Sequence, residues 1–285
     1  MNYVDLHCHT TASDGTLSPT ALVARAAECS LHTIAVTDHD TTAGIEEALT
    51  AGQNLGIEVI PGIEINTDVP GGEMHILGYF IDWHDPSLQA ELARLRAGRQ
   101  QRAEEMVRQL AALGMPVAWS RVQAIAGSGA IGRPHVAQAL LEAGYVNSTR
   151  EAFDLYIGRH GPAYVSRTRF TPPEAVQAIR RTGGLPVLAH PIIARFGGDP
   201  VVQVNLAREL PPLIEAGLVG LECYYPNYTG GQIDQLLAAA RKWGLLVTGG
   251  TDFHGPRPDR AELGSIYVPE RVVQALKAAR GHGTA

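Results

Sequence analysis

Short apolar runs recur along this chain, and most of them end in histidine, aspartate or glutamate. Tyr3–Leu6 leads into His7 and His9, and Thr33–Val36 into Asp38, His39 and Asp40. The run IEVIPGIEIN carries Glu64, GGEMHILGYF carries His75, LPVLAHP ends at His190, and LLVTGGTDFHG ends at Asp252 and His254. Helical stretches separate most of these runs. Such alternation predicts a parallel β/α barrel, in which functional groups gather at the C-terminal ends of the strands. One mouth would then hold His7, His9, Asp38, His39, Glu64, His190, Asp252 and His254, with His75 nearby.

The residue types at that mouth point to metal. His7 and His9 are two apart on an extended run, so their imidazoles share a face while Cys8 points away into the core. Glu64 stands among isoleucines, where a carboxylate needs a partner. Imidazoles and carboxylates without thiolate suit Zn²⁺, Mn²⁺ or Fe²⁺. One tetrahedral ion takes four ligands, and at least eight candidates converge here, so two or three ions are expected. Asp38, Asp40 and Glu222 fit the plainer role of capping or hydrogen-bonding groups.

Helix signals fill the rest. Ser18-Pro19 reads as an N-cap and first helical residue for a helix Thr20–Ser30. Further helices are expected over Thr42–Asn54, Pro172–Thr182, Val202–Ala216, Gly231–Trp243 and Glu270–Ala279, with an interruption of the third strand at Pro61-Gly62. A last short strand is expected at Ser265–Val268. From Asp85 to Leu113 a long charged helix carries Leu88, Leu92, Leu95, Met106, Val107 and Leu110 as its apolar stripe. No strand-like run appears from there to Tyr156. Residues 100–165 therefore read as a helical insertion (a lid) in a barrel made of 1–99 and 166–285. Its polar landmarks are Gly132-Arg133-Pro134-His135, then Arg159, His160 and a strand-like Ala163–Val165. Arg133 is the leading phosphate-binding candidate, because its planar fork makes two charge-assisted bonds. Arg159 and Arg167 are weaker ones, and Trp119, Phe153 and Tyr156 fit core positions better than base stacking.

Composition narrows the partners. The 285 residues carry a formal charge of -6, which argues against a surface that coats nucleic acid but leaves a nucleotide substrate open. No stable nucleic-acid complex is expected. Three cysteines without metal spacing read as reduced thiols of a cytoplasmic protein. No apolar run approaches a membrane span, and with a strand expected at the very start no leader segment is expected.

The motifs HCHTTASDG, AVTDHD, PGIEI, LAHP and GTDFHG together resemble those of the PHP (polymerase and histidinol phosphatase) phosphoesterases, from Tyr3 to His254. Motif order and the GRPH segment look most similar to the branch that hydrolyses 3′,5′-nucleoside bisphosphates and short RNA from the 5′ end. The resemblance implies a distorted seven-stranded β/α barrel with a trinuclear centre. His7, His9, Glu64 and Asp252 would hold one ion. Glu64 would bridge to a second, completed by His75 and His190, and Asp14, His39 and His254 would hold the third. Mn²⁺ is the expected metal, with Zn²⁺ or Fe²⁺ as alternatives. Glu64, Asp252, His190 and Arg133 would carry catalysis, and Arg133, His135 and Arg159 would bind substrate. The implied activity is removal of the 3′-phosphate from 3′,5′-nucleoside bisphosphates, extending to short 5′-phosphorylated RNA. The rival readings are a phosphatase for histidinol phosphate or another small monoester, and a non-catalytic structural module.

Overall fold

The computed structural model describes residues 4–69, 72–127, 131–166, 170–192, 195–196, 199–200, 205–257 and 260–281. Tyr3, Arg167 and the expected helix start at Val202 lie outside them. Seven strands form one sheet in the order β1 (Val4–Cys8), β2 (Thr33–Val36), β3 (Glu58–Val69), β4 (Gly72–Tyr79), β5 (Leu185–Leu188), β8 (Gly220–Tyr224) and β9 (Leu246–Gly249). A separate pair of two-residue strands, β6 (Arg195–Phe196) and β7 (Asp199–Pro200), lies between β5 and β8 in sequence. The sheet curls into a nearly closed barrel. Its ends meet just past β1 and β9, where His9 N donates to Phe253 O at 2.8 Å and Phe253 N to His7 O at 3.2 Å.

Most neighbouring strands are parallel, as the alternation predicts. The exception is β4, which runs antiparallel to both β3 and β5. Only two residues, 70–71, separate β3 from β4, a connection too short for the crossover that a parallel strand needs. The first half of β4, rather than its end, therefore reaches the mouth, and that is where His75 sits. The expected break at Pro61-Gly62 is instead a change of partner within one continuous strand. Residues Glu58–Pro61 pair with β2, and Gly62–Val69 pair with β4. Pro61 supplies no N–H at this change of partner, but its carbonyl still pairs, accepting from Phe80 N at 2.7 Å.

The described helices pack on the sheet or on one another. They are α1 (Pro19–Glu28), α2 (Ile45–Leu55), α3 (Pro86–Ala112), α4 (Trp119–Ala126), α5 (Arg133–Glu142), α6 (Thr149–Ala152), α7 (Pro172–Arg181), α8 (Leu206–Glu215), α9 (Gly230–Trp243) and α10 (Arg271–Gly281). Ser18 caps α1, its side chain accepting from Ala21 N at 3.2 Å, and Pro19 opens the helix. Helix α3 spans two cores. Leu88, Leu92 and Leu95 pack with the barrel residues Ile63, Ile65 and Ile76. Ala103, Met106 and Leu110 pack with Val122, Val136, Leu140, Phe153 and Ile157 of the following helices.

Two expected strands are absent. Ala163–Val165 is irregular because its backbone groups are taken up locally: Ala163 N donates to Tyr156 O at 2.9 Å, and Arg102 Nε to Val165 O at 2.6 Å. Ser265–Val268 is also outside any strand, and Val268 instead packs with Val272 and Leu276 of the last helix against Val4 and Leu6. Cys8 and Cys223 are buried and unpaired.

Candidate metal centre

Local structure aims each donor. His7 lies on β1 with its Nδ1 3.0 Å from Glu222 Oε1, which turns Nε2 towards the barrel mouth. Close approach of β9 behind it requires glycine at position 250, since a Cβ there would collide with His7 N and Cβ. Glu64 stands on β3 past the point where β2 has ended, so it projects into the mouth. Asp252, with φ 53°, and His190, with φ 25°, adopt left-handed backbone that non-glycine residues enter at a cost of about 1 kcal/mol or more. Their hydrogen bonds hold them there. Glu222 Oε2 accepts from His190 N at 2.7 Å, and Tyr225 Oη donates to Asp252 Oδ2 at 2.7 Å. His254 Nδ1 lies 2.7 Å from Asp252 O, leaving Nε2 facing Asp14 Oδ1 at 3.3 Å.

Three groups of donors result: His7, His9, Glu64 and Asp252; His39, Glu64 and His75; and His9, Asp14, His39 and His254. In the first, His7 Nε2 and His9 Nε2 each lie 3.3 Å from Glu64 Oε2, and 3.4 and 3.0 Å respectively from Asp252 Oδ1. Four donors around one Zn²⁺-sized ion would be spaced about 3.3–3.4 Å apart by tetrahedral geometry. All four atoms are buried and make no hydrogen bond, although they are close enough for one. The four donor atoms lie within 4.8 Å of one another, and buried polar atoms left without hydrogen bonds cost free energy that a cation among them would offset. The residues present therefore fit divalent metal. Glu64 Oε1 is engaged separately, by His75 Nδ1 at 2.8 Å and His190 Nε2 at 3.0 Å, so the two oxygens of one carboxylate face two donor sets. His39 faces both of its groups, with Nδ1 3.0 Å from Glu64 Oε2 and Nε2 4.0 Å from Asp14 Oδ1.

The electrostatics carry the same message. Burial alone would lower His7, but Glu222, Glu64 and Asp252 override it and hold the imidazole well above its ordinary value. His9 is likewise pushed up to about 10 by Asp252 and Glu64 against the effect of burial, and His75 to about 9 by Glu64 and Glu73. Burial opposes ionisation of Glu64, Asp252 and Asp14 too, yet the surrounding histidines hold all three well below the usual carboxylate range. Without metal, the site takes positive charge as protons.

That yields a prediction. Histidines with raised folded values stabilise the chelator-treated protein fully below their unfolded value of 6.5, and this is lost as pH rises through about 9 to 10. The unfolding temperature of chelated protein should therefore fall between pH 6.5 and 10, whereas metal-loaded protein should gain relative to it, because ions need neutral imidazoles. A chelated Tm that is flat or rising over that range would contradict the reading.

The remaining candidates are placed as follows. Arg133 opens α5, donates from Nη2 to Glu73 Oε1 at 2.8 Å and lies over the Phe153 ring, 5.3 Å from its centroid. His135 is buried, with Nδ1 accepting from Gly132 N at 3.0 Å. Burial lowers its pKa; Asp14 opposes that, and Arg99 and Arg257 add to it. Arg159 is half-buried and His160 exposed in the turn after the π-helical segment Phe153–Ile157. Asp38 accepts from Thr10 N, Thr10 Oγ1 and Ser13 Oγ, so it shapes the loop that presents Asp14. Asp40 accepts from Arg99 and Asn66.

Sequence reasoning missed Asp5, Glu73 and Tyr225. Asp5 is fully buried, anchoring Thr251 N, Thr251 Oγ1 and Gly264 N beside the Asp252 turn. A charged residue inside an otherwise apolar strand was the available signal for it. Tyr225 offered none.

Comparison with known proteins agrees. The PHP domain model matches residues 5–98. A 5′-3′ exoribonuclease of Haemophilus influenzae is 38% identical over 88% of this chain and 90% of its own length. A 3′,5′-nucleoside bisphosphate phosphatase of Chromobacterium violaceum is 32% identical over 93% of this chain and 91% of its own. Among solved structures, a protein from Bifidobacterium adolescentis assigned as a metal-dependent phosphoesterase superposes with a TM-score of 0.87 at 32% identity, covering 98% of this chain and 96% of that one. With this coverage, and with its buried donors converging at the barrel mouth, the chain belongs to the PHP family and is a metal-dependent phosphoester hydrolase.

Proposed function

We propose that this enzyme removes the 3′-phosphate from 3′,5′-nucleoside bisphosphates and also trims short 5′-phosphorylated RNA. The observation that carries this reading is a cation of the helical insertion, Arg133, held beside the metal-donor set through Glu73 and His75. A substrate with two phosphates would place one at the donors and the other on Arg133. The names of the relatives from Haemophilus influenzae and Chromobacterium violaceum support both halves.

In this reading His7, His9, Glu64 and Asp252 hold one ion. Glu64, His75 and His190 hold a second, and Asp14, His39 and His254 a third. The ions are Mn²⁺, with Zn²⁺ or Fe²⁺ as alternatives, since mixed imidazole and carboxylate donors without thiolate accept all three. Bound divalent ions would supply Lewis acidity towards the phosphoryl oxygens and acidify water for attack on phosphorus. The chain's own part is positional. Glu222, Tyr225 and the Asp252 carbonyl fix which atoms of His7, Asp252 and His254 face the mouth. Arg133 anchors the 5′-phosphate, away from the reacting group. His135, whose Nδ1 is an acceptor, carries its proton on Nε2 when neutral and so donates from there to substrate. Arg159 adds a second cation. Residues 100–165 act as the lid on a barrel made of 1–99 and 166–285. Three unpaired cysteines support a cytoplasmic setting, and no described helix is long and apolar enough to cross a membrane.

The test compares kcat/KM for adenosine 3′,5′-bisphosphate, adenosine monophosphate (AMP) and histidinol phosphate under one metal condition. The bisphosphate should come out highest, because binding the remote phosphate assists the reacting one. A histidinol phosphate value above the other two would overturn the two-phosphate reading and leave only the phosphoesterase.

A further inference from the structure

Glu73 belongs to no donor group, yet it touches both halves of the site. It lies on β4 two residues before His75, so the two side chains rise from the same face of the sheet. Its Oε1 accepts from Arg133 Nη2 at 2.8 Å, while its Oε2 stands 3.6 Å from His75 Nε2. His75 Nδ1 in turn is 2.8 Å from Glu64 Oε1. A line of four side chains thus runs from the insertion to the metal donors: Arg133, Glu73, His75, Glu64. The first contact is a hydrogen-bonded ion pair of two largely buried groups, 11% and 17% exposed. The contact to His75 is too long for a hydrogen bond. Metal-ligating histidines usually give their second N–H to a carboxylate, and Glu73 is placed for that duty while being held by Arg133.

We propose that Glu73 is a specificity-determining residue that competes with substrate for Arg133, so that only a doubly charged terminal phosphate captures the arginine. The inference rests on the reading of Arg133 as the anchor of the 5′-phosphate. A phosphate dianion offers the guanidinium fork two charged oxygens and outbids one carboxylate. A phosphodiester, with a single charge, gains less from Arg133 than it loses by breaking the existing pair. A 5′-hydroxyl gains nothing. Discrimination then comes from the contact that must be given up, not only from the one that is made. Once displaced, and repelled by the incoming phosphate, Glu73 has His75 Nε2 to turn to. Binding of the correct end would in this way firm up a metal ligand.

The experiment uses adenosine 3′,5′-bisphosphate and its analogue with a methyl ester on the 5′-phosphate, which removes one charge and leaves the reacting 3′-phosphate untouched. kcat and KM are measured on metal-loaded wild type, Glu73→Gln, Arg133→Ala and the double variant. Kd for both compounds is also measured calorimetrically on chelator-treated protein, where neither is consumed. Wild type should prefer the bisphosphate. Glu73→Gln should improve KM and Kd for the methyl ester about fivefold and change those for the bisphosphate less, so that the preference shrinks. In the Arg133→Ala background the preference should be absent with or without Glu73. If Glu73→Gln leaves the preference intact while Arg133→Ala abolishes it, Glu73 is no competitor and the reading of Arg133 survives. A preference that persists in Arg133→Ala, or a wild type indifferent to the methyl group, overturns both.

Discussion

Glu64→Gln should lose bound metal and activity together. The carboxylate is fully buried, with Oε2 beside His7 and His9 and Oε1 beside His75 and His190. Glutamine keeps the shape but replaces one oxygen by an amide N–H₂, a donor that can ligate nothing and that meets imidazole lone pairs. It also removes the charge that raises His7, His9 and His75. Losing a group that merely orients a ligand costs roughly 10- to 100-fold in metal affinity or activity. A carboxylate shared between two donor sets should exceed that range. Metal content after gel filtration and kcat/KM on one substrate report the outcome side by side. Wild-type turnover in Glu64→Gln would make the carboxylate a structural residue only.

Arg133→Ala should raise KM for adenosine 3′,5′-bisphosphate while moving kcat much less. A phosphate already present in the bound substrate gains the same contact in the ground and transition states, so its loss appears as uniform binding. Hydrogen bonds to charged groups are worth about 1.5–3 kcal/mol, or roughly ten- to 150-fold in KM. The lower end is expected, since in wild type the phosphate must first displace Glu73 from the guanidinium. Adenosine 3′-monophosphate, which lacks the 5′-phosphate, should show no change in KM. A fall in kcat with KM unmoved would relocate Arg133 to the reacting group. Unchanged kinetics on every substrate would make it a link between β4 and the insertion and nothing more.

How much of this was legible in the chain depends on the range of the interaction. Most donors announced themselves because they sit on or just beyond an apolar strand, and the β/α barrel rule carries strand ends to one place, whereas Asp14, in the turn well past β1, came only with the family resemblance. His7 and His9 needed only the two-residue period of β1. The helices were legible from local chemistry, as the Ser18 cap and the Pro19 start of α1 illustrate. Strand direction was not legible in the same way. The histidine of β4 reaches the mouth only because that strand runs backwards, which follows from the tight β3–β4 connection rather than from any periodicity. Proline and glycine in β3 looked like a break, whereas the strand merely changes neighbours there. The supporting shell was least legible. Glu222 reaches His7 across 215 residues of sequence and Asp5 reaches Thr251 across 246, and nothing near either carboxylate names its partner. Glu73 is a similar case, 60 residues from the arginine it holds.

The most direct test of the central claim is the number of ions bound. Protein loaded with Mn²⁺, and separately with Zn²⁺, is freed of excess metal and submitted to elemental analysis against a quantitative protein concentration. Glu64 faces two donor sets, and a third gathers around Asp14, His39 and His254, so two to three divalent ions per chain are expected. A reproducible value near one, in protein with full activity, would contradict the multinuclear centre.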